Sequence, residues 1–262
     1  MTTSLDLSGL SVLITRPRGR GEILASAIRN AGGLVREVPL LAVEPLHPQR
    51  DAELRAVTAA QLQRLDQYDA AIAISINAVE LALSWARDYW PQWPPQLHWY
   101  GIGAATAEAL AQWGVRCTAA GGGMNSEALL ALPELQSIAN HKILILRGVG
   151  GRETLAETLR ARGATVDYAE CYRRVEPILD ENARAELAAP VDAICVNSAE
   201  TLANLWNNLN PYARDHVRAR ALIVPSERVG QKARELGFQR VVVAANAGTA
   251  ATLNALAILQ QQ

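Results

Sequence analysis

Seven segments of this chain combine glycine, hydroxyl side chains, amides and arginine in the pattern of an anion receptor. They are residues 15–19 (TRPRG), 75–77 (SIN), 101–106 (GIGAAT), 123–126 (GMNS), 147–152 (RGVGGR), 197–199 (NSA) and 225–228 (PSER). Most follow a short apolar run and precede an amphipathic one, which places them where a strand ends and a helix begins. At such a junction the helix presents unpaired backbone N–H groups and the positive end of its dipole. Arginine adds a planar fork that matches a carboxylate or phosphate. The binding candidates are therefore Arg16, Ser75, Asn77, Gly103, Thr106, Asn125, Ser126, Arg147, Gly148, Arg152, Ser198, Ser226 and Arg228. Taken singly, Ser75, Asn125, Ser126 and Ser198 read better as simple helix N-caps. Arg16 and Arg147 equally suit salt bridges to neighbouring carboxylates. Recurrence of the whole set favours the anion reading, and a cleft lined from two sides would hold a large polyanion.

Acid–base candidates are few. No histidine falls in these loops, which leaves Ser-His-Asp and Cys-His catalysis without support. Tyr168 and Tyr172 lie close to Cys171, Arg173 and Arg174. Beside arginines a phenol is expected to titrate lower and to serve as a weak proton donor. The Gly101–Gly103 pair lacks the third glycine of a dinucleotide fingerprint, so a nucleotide cofactor has little support. Cys117, Cys171 and Cys195 are odd in number and far apart, and His47, His98, His141 and His216 share no ligand spacing with them. Neither a disulfide frame nor a metal site is expected, and the reading assigns no cofactor.

Composition sets the outer limits. The 262 residues are half apolar and carry a net charge of −1, which describes a globular protein of one large domain or two ordinary ones. The first residues lack a basic start and a sustained apolar stretch, and no apolar run reaches membrane-spanning length. A cytoplasmic monomer with no nucleic-acid or membrane partner is expected. Four tryptophans between residues 85 and 99 sit among prolines without interleaved basic residues, so they are expected to pack on one another rather than on bases.

The elements that must position these residues are written twice. Shifting residues 12–35 by 131 positions makes ten of the 24 coincide, among them Arg16/Arg147, Gly19/Gly150, Glu22/Glu153, Arg29/Arg160 and Gly32/Gly163. With the offset grown by one residue, both copies close on Val-Glu-Pro, at 43–45 and 175–177. Later landmarks keep an offset of 123: Asp69/Asp192, Ser75/Ser198, Gly114/Gly237 and Ser126/Thr249. A repeat of this kind dictates architecture.

Within each copy, apolar runs alternate with amphipathic stretches. Strands are expected at residues 10–15, 34–38, 70–75, 98–101, 115–119, 143–146 and 192–197, with helices between them. The fold class is α/β: two similar domains, each a mainly parallel sheet flanked by helices in the flavodoxin/Rossmann manner. The alternation alone leaves open whether the halves are contiguous or exchange a unit.

The motifs LITRP, LLAVEPL, Ser-x-Asn-Ala-Val at 75–79, GIGAATAEAL, NSEALL, ILILRG…RE and CYRR, with the late Asn-Ser-Ala and Pro-Ser-Glu-Arg, stand in an order and spacing that resembles the uroporphyrinogen-III synthase family. The likeness runs from about residue 12 to residue 256. It implies a discontinuous first domain (1–38 and 178–262), a second domain (46–168), and connectors at 39–45 and 169–177 paired as a two-stranded β-ladder. It implies cofactor-free closure of a linear tetrapyrrole, hydroxymethylbilane, with loss of water and inversion of the last ring. It further implies that Tyr172 is the acid that helps the hydroxyl depart. Ile74 stands where relatives carry a hydroxyl, and Glu227 where relatives complete a hydroxyl pair. The alternative is a two-domain protein that clamps an anionic ligand without chemistry.

Overall fold

A computed structural model describes residues 5–119, 126–151 and 153–260. Two sheets organise it. The five-stranded sheet contains β1 (Ser11–Ile14), β2 (Leu34–Glu37), β9 (Ala193–Cys195), β10 (Ala221–Val224) and β11 (Arg240–Val243), in the spatial order β11-β10-β9-β1-β2. The six-stranded sheet contains β3 (Ala42–Pro45), β4 (Ala70–Ala73), β5 (His98–Gly101), β6 (Cys117–Ala119), β7 (Lys142–Gly148) and β8 (Thr165–Val175), in the order β3-β8-β7-β4-β5-β6. The pairs β1–β2, β1–β9, β9–β10, β10–β11, β4–β5, β4–β7, β5–β6 and β7–β8 are parallel.

Parallel strands with helices on both faces are buried on both sides, which explains why their sequences are runs rather than alternations. Every residue of β4 and of β10 is buried. The helices are α1 (Glu22–Asn30), α2 (Ala52–Leu62), α3 (Ile76–Ala86), α4 (Ala104–Gln112), α5 (Ser126–Leu130), α6 (Thr154–Ala161), α7 (Glu181–Ala188), α8 (Ala199–Asn208), α9 (Pro211–Arg218), α10 (Glu227–Glu235) and α11 (Thr249–Gln260). No helix among the described residues is long and apolar enough to cross a membrane.

The repeat is structural as well as sequential. A shift of 123 carries β5 onto β10 and α4 onto α10 residue for residue, and the first residue of α5 onto that of α11. Each α1-type and α4-type helix stops at a glycine with positive φ: Gly32 (86°) and Gly163 (88°), Gly114 (72°) and Gly237 (90°). That backbone region suits glycine because it has no Cβ, so these four positions recur with the turn they make.

Each repeat is shared between the sheets. The first copy gives β1 and β2 to the five-stranded sheet and β4, β5 and β6 to the six-stranded one, whereas the second gives β7 and β8 to the latter and β9, β10 and β11 to the former. Apart from the added β3, the two strand orders then correspond element for element. The chain accordingly divides into two compact units, Met1–Ala42 with Val175–Gln262, and Val43–Arg174. Among the described residues, four buried apolar clusters form their cores, two in each unit.

Two local details, β8 and α9, differ from the sequence reading. Strand β8 is a single eleven-residue strand that pairs with β7 as far as Tyr172, so residues placed in a connector belong to the sheet. The expected ladder corresponds to β3 lying beside β8 at that sheet's edge. Helix α9 is not among the expected elements, although Asn210 caps it and Pro211 opens it in the manner of a helix start. The tryptophan segment does pack on itself: Trp93 and Trp99 meet edge to face at 6.0 Å, and the indole N–H groups of Trp90 and Trp93 donate to the carbonyls of Leu62 (2.7 Å) and Trp113 (2.9 Å).

Candidate functional site

In a parallel sheet every strand points the same way, so the loops after the strands collect along one edge. In the unit built on the six-stranded sheet that edge gathers Ser75 and Asn77 after β4, Gly103 and Thr106 after β5, Ser126 at the start of α5, and Arg147 and Gly148 at the end of β7. In the other unit it gathers Arg16 after β1, Ser198 after β9, and Ser226 and Arg228 after β10. The predicted residues Asn125 and Arg152 lie outside the described residues.

Ser75 and Ser198 both cap helices. Ser75 Oγ accepts the Ala78 N–H at 3.0 Å, and Ser198 Oγ accepts the Thr201 N–H at 3.0 Å. Ser226 begins α10 with the same extended backbone but makes no cap bond with its side chain, so its hydroxyl is not consumed by the helix. Gly103, its counterpart 123 residues earlier, begins α4 with no side chain at all. Thr106 is buried in the first turn of α4, and Asn77 is half-buried in the first turn of α3. Arg228 is exposed two residues into α10. Glu227, which a carboxylate-rich ligand would disfavour, pairs with Arg234 at 2.5 Å.

Two of the four predicted arginines, Arg147 and Arg16, are engaged within the protein. Arg147 is only 2% exposed. Its Nη1 pairs with Glu153 (2.9 Å), Nε donates to the Gly148 carbonyl (3.3 Å), Nη2 donates to the Gly150 carbonyl, and the guanidinium lies 4.5 Å over the Tyr168 ring. Tyr168 donates its hydroxyl to the same glutamate. Arg147 thus acts as an internal brace that folds the glycine loop after β7. Burial and the Glu153 carboxylate both raise the Tyr168 phenol, although Arg160 opposes them.

Arg16 is half-buried and donates from Nη2 to the Ala247 carbonyl at 2.6 Å. Burial lowers its titration point. It lines a recess with Asn197, Pro225, Asn246 and Thr252, over the buried Cys195 thiol, which burial pushes up to about 12. The segment from Asn246 to Thr249 is absent from the sequence-based candidates. Its signal is present in the chain, because it stands 123 residues after the Gly123–Ser126 segment.

Tyr172 is 6% exposed on β8. A register irregularity between Arg147 and Gly148 sets Gly148 opposite it, and a Cβ on Gly148 would stand 2.5 Å from the ring. Its hydroxyl lies 3.0 Å from Ser75 Oγ. The adjacent arginine is directed elsewhere: successive strand residues face opposite sides, and Arg173 pairs with Asp51 at 2.8 Å. Tyr172 and Ser75, selected separately from the sequence, form one hydrogen-bonded pair. Among the described residues no three His, Cys, Asp or Glu side chains group as a metal site requires.

Comparison with known proteins bears on the family and the fold. The family model for uroporphyrinogen-III synthase HemD matches residues 22–254. The uroporphyrinogen-III synthase of Escherichia coli K12 is 40% identical over 252 residues, which is 94% of this chain and 100% of the relative. That of Salmonella typhimurium LT2 is 40% identical over 258 residues, with 94% and 100% covered. Among solved structures, a mutant uroporphyrinogen III synthase of Thermus thermophilus shares the fold at a TM-score of 0.60 and 19% identity, covering 97% of this chain and 100% of that one. The uroporphyrinogen-III synthetase of Helicobacter pylori 26695 does so at a TM-score of 0.60 and 12% identity, with 97% and 100% covered. By sequence over nearly its full length and by fold, the chain belongs to the uroporphyrinogen-III synthase family.

Proposed function

We propose that this chain closes hydroxymethylbilane into uroporphyrinogen III, as a cyclising hydro-lyase of tetrapyrrole biosynthesis. The observation that carries this reading is the 40% identity to a relative of that name across its entire length. The loop geometry supports it, because each unit offers helix N-termini and hydroxyls at one sheet edge.

The substrate bears carboxylates on every ring. Dispersed receptors such as Ser226, Arg228, Thr106 and the backbone N–H groups at the starts of α4 and α10 hold those carboxylates and so fold the chain of rings. Folding matters most, since the free bilane also loses water and closes without inversion. The enzyme raises the effective concentration of the crowded carbon of the last ring against the carbon left by the departing hydroxyl. Tyr172 gives its phenolic proton to that hydroxyl, which leaves as water and yields the azafulvene. Attack at the substituted carbon forms a spiro intermediate, and fragmentation with re-closure inverts the ring. No cofactor is assigned to any step, and the chain works as a cytoplasmic monomer without nucleic-acid or membrane partners. The near-neutral charge and the three free cysteines accord with that setting.

The test is a coupled assay in which hydroxymethylbilane is generated in place and the products are oxidised and separated by isomer. The expected result is a large excess of the type III isomer over the enzyme-free control. Type I alone, from protein that is folded, would leave an anionic-ligand-binding protein as the better account.

A further inference from the structure

The two helix caps Ser75 and Ser198 occupy equivalent places, 123 residues apart, yet they dispose of their protons differently. A serine hydroxyl has one proton and two lone pairs. In both caps one lone pair is taken by a backbone N–H three residues on. At Ser198 the proton has a local acceptor: Thr201 Oγ1 lies 2.6 Å away and in turn donates to Asn197 Oδ1 at 2.8 Å. At Ser75 the residue equivalent to Thr201 is Ala78, which offers no side-chain acceptor. The side-chain partner of Ser75 is instead Tyr172 Oη, at 3.0 Å, and either hydroxyl can be the donor. The counterpart of Tyr172 in the other copy, at the offset that aligns the two Val-Glu-Pro segments, is Leu40. The pair therefore occurs in one unit only.

We infer that Ser75 is a positioning residue for the proton of Tyr172. With Ser75 Oγ–H donated to the phenolic oxygen, the phenol cannot turn its own proton inward, and that proton faces outward from the strand. As the phenol releases it, the oxygen gains negative charge, and a hydrogen bond to a charged oxygen is stronger than one to a neutral oxygen. Ser75 sits at the positive end of α3, which adds to the same effect. Gly148, on the strand between β8 and β4, lets the ring lie against the backbone, since no Cβ fits there. The hydroxyl of Ser75 thus belongs to the acid rather than to a substrate carboxylate. This inference rests on the assignment of Tyr172 as the acid.

The experiment measures kcat and KM for type III formation by the full chain and by Ser75→Ala, Ser75→Thr, Ser75→Asp, Tyr172→Phe and the Ser75→Ala/Tyr172→Phe double variant. Loss of one hydrogen bond to a developing charge predicts that Ser75→Ala lowers kcat by about tenfold while KM stays unchanged. Ser75→Thr keeps both cap and proton and restores the rate. Ser75→Asp still caps α3 but only accepts, so it stays folded and is as slow as the alanine variant. In the Tyr172→Phe background the alanine substitution costs nothing further. A raised KM with unchanged kcat, or a full additional loss in the double variant, overturns the inference and returns Ser75 to carboxylate binding. An undiminished rate for Tyr172→Phe overturns it together with the acid assignment. Absence of type III product from the unaltered chain overturns the synthase reading itself.

Discussion

Arg173 Nε donates to Asp51 Oδ1 at 2.8 Å, tying strand β8 one residue beyond Tyr172 to the residue that begins α2. The Asp51 side chain is 1% exposed and also receives the His47 N–H (2.9 Å) and the Arg50 side chain (3.2 Å). Burial alone would raise this carboxyl, but the His47 amide and the two arginines outweigh it and hold it at about 2.

A carboxyl held below its unfolded value, about 3.9, stabilises the fold fully above that value. The contribution fades as pH falls through about 2, because the unfolded chain then binds the proton first. Asp51→Asn is expected to lower Tm at pH 7. The gap to the unaltered chain should narrow as thermal melts are repeated from pH 5 down to pH 2. A gap that stays constant over that range would show that charge on Asp51 contributes nothing.

Arg147 separates brace from ligand contact. Its buried guanidinium makes three hydrogen bonds inside the protein. Arg147→Lys loses the fork that makes them and is expected to cost about 2–3 kcal/mol of stability, read as a lowered midpoint in urea. KM for the bilane should change little once the variant is assayed below its melting range. A large rise in KM in fully folded protein would restore Arg147 to substrate binding.

Gly148 faces the Tyr172 ring with no room for a methyl group. Gly148→Ala must displace the ring or bend the strand, at roughly 1–3 kcal/mol as overpacking generally costs. Turnover is expected to fall to about the level of Tyr172→Phe, since the phenol is moved rather than removed. A crystal structure of the variant with an unmoved ring and normal turnover would refute the close-approach argument.

Ser198 and Ser226 look alike in sequence and differ in the fold. Ser198 caps α8, so Ser198→Ala should lose about 1 kcal/mol of stability. Ser226 makes no cap bond, so Ser226→Ala should leave the melting temperature unchanged while raising KM severalfold through a lost carboxylate contact. Chemical denaturation and steady-state kinetics on both variants check the pair. Equal destabilisation of the two would contradict the cap assignment.

The repeat and the alternation of strands and helices within each copy were legible along the chain, because they depend on near-neighbour patterns. Apolar runs, helix-stopping glycines and hydroxyls before helices are local choices, and two copies at offsets of 131 and 123 make them visible twice. The fate of individual groups was not local. Arg16 and Arg147 read identically in the two copies, but one reaches the Ala247 carbonyl across 231 residues and the other folds back on its own loop. Asp51 and Arg173 are 122 residues apart, and neither carried a signal in isolation.

What the sequence by itself determined is the class of fold, its duplication and, through nearly full-length resemblance, the family. What only the tertiary structure decided is which polar groups are already spent. Burial and hydrogen bonding are set by whichever elements happen to pack alongside, and those partners come from distant positions. Ser75 illustrates the division. Its place before a helix is written in a Ser-x-Asn-Ala-Val segment, but its proton acquires a destination only when β8 brings the Tyr172 oxygen to 3.0 Å.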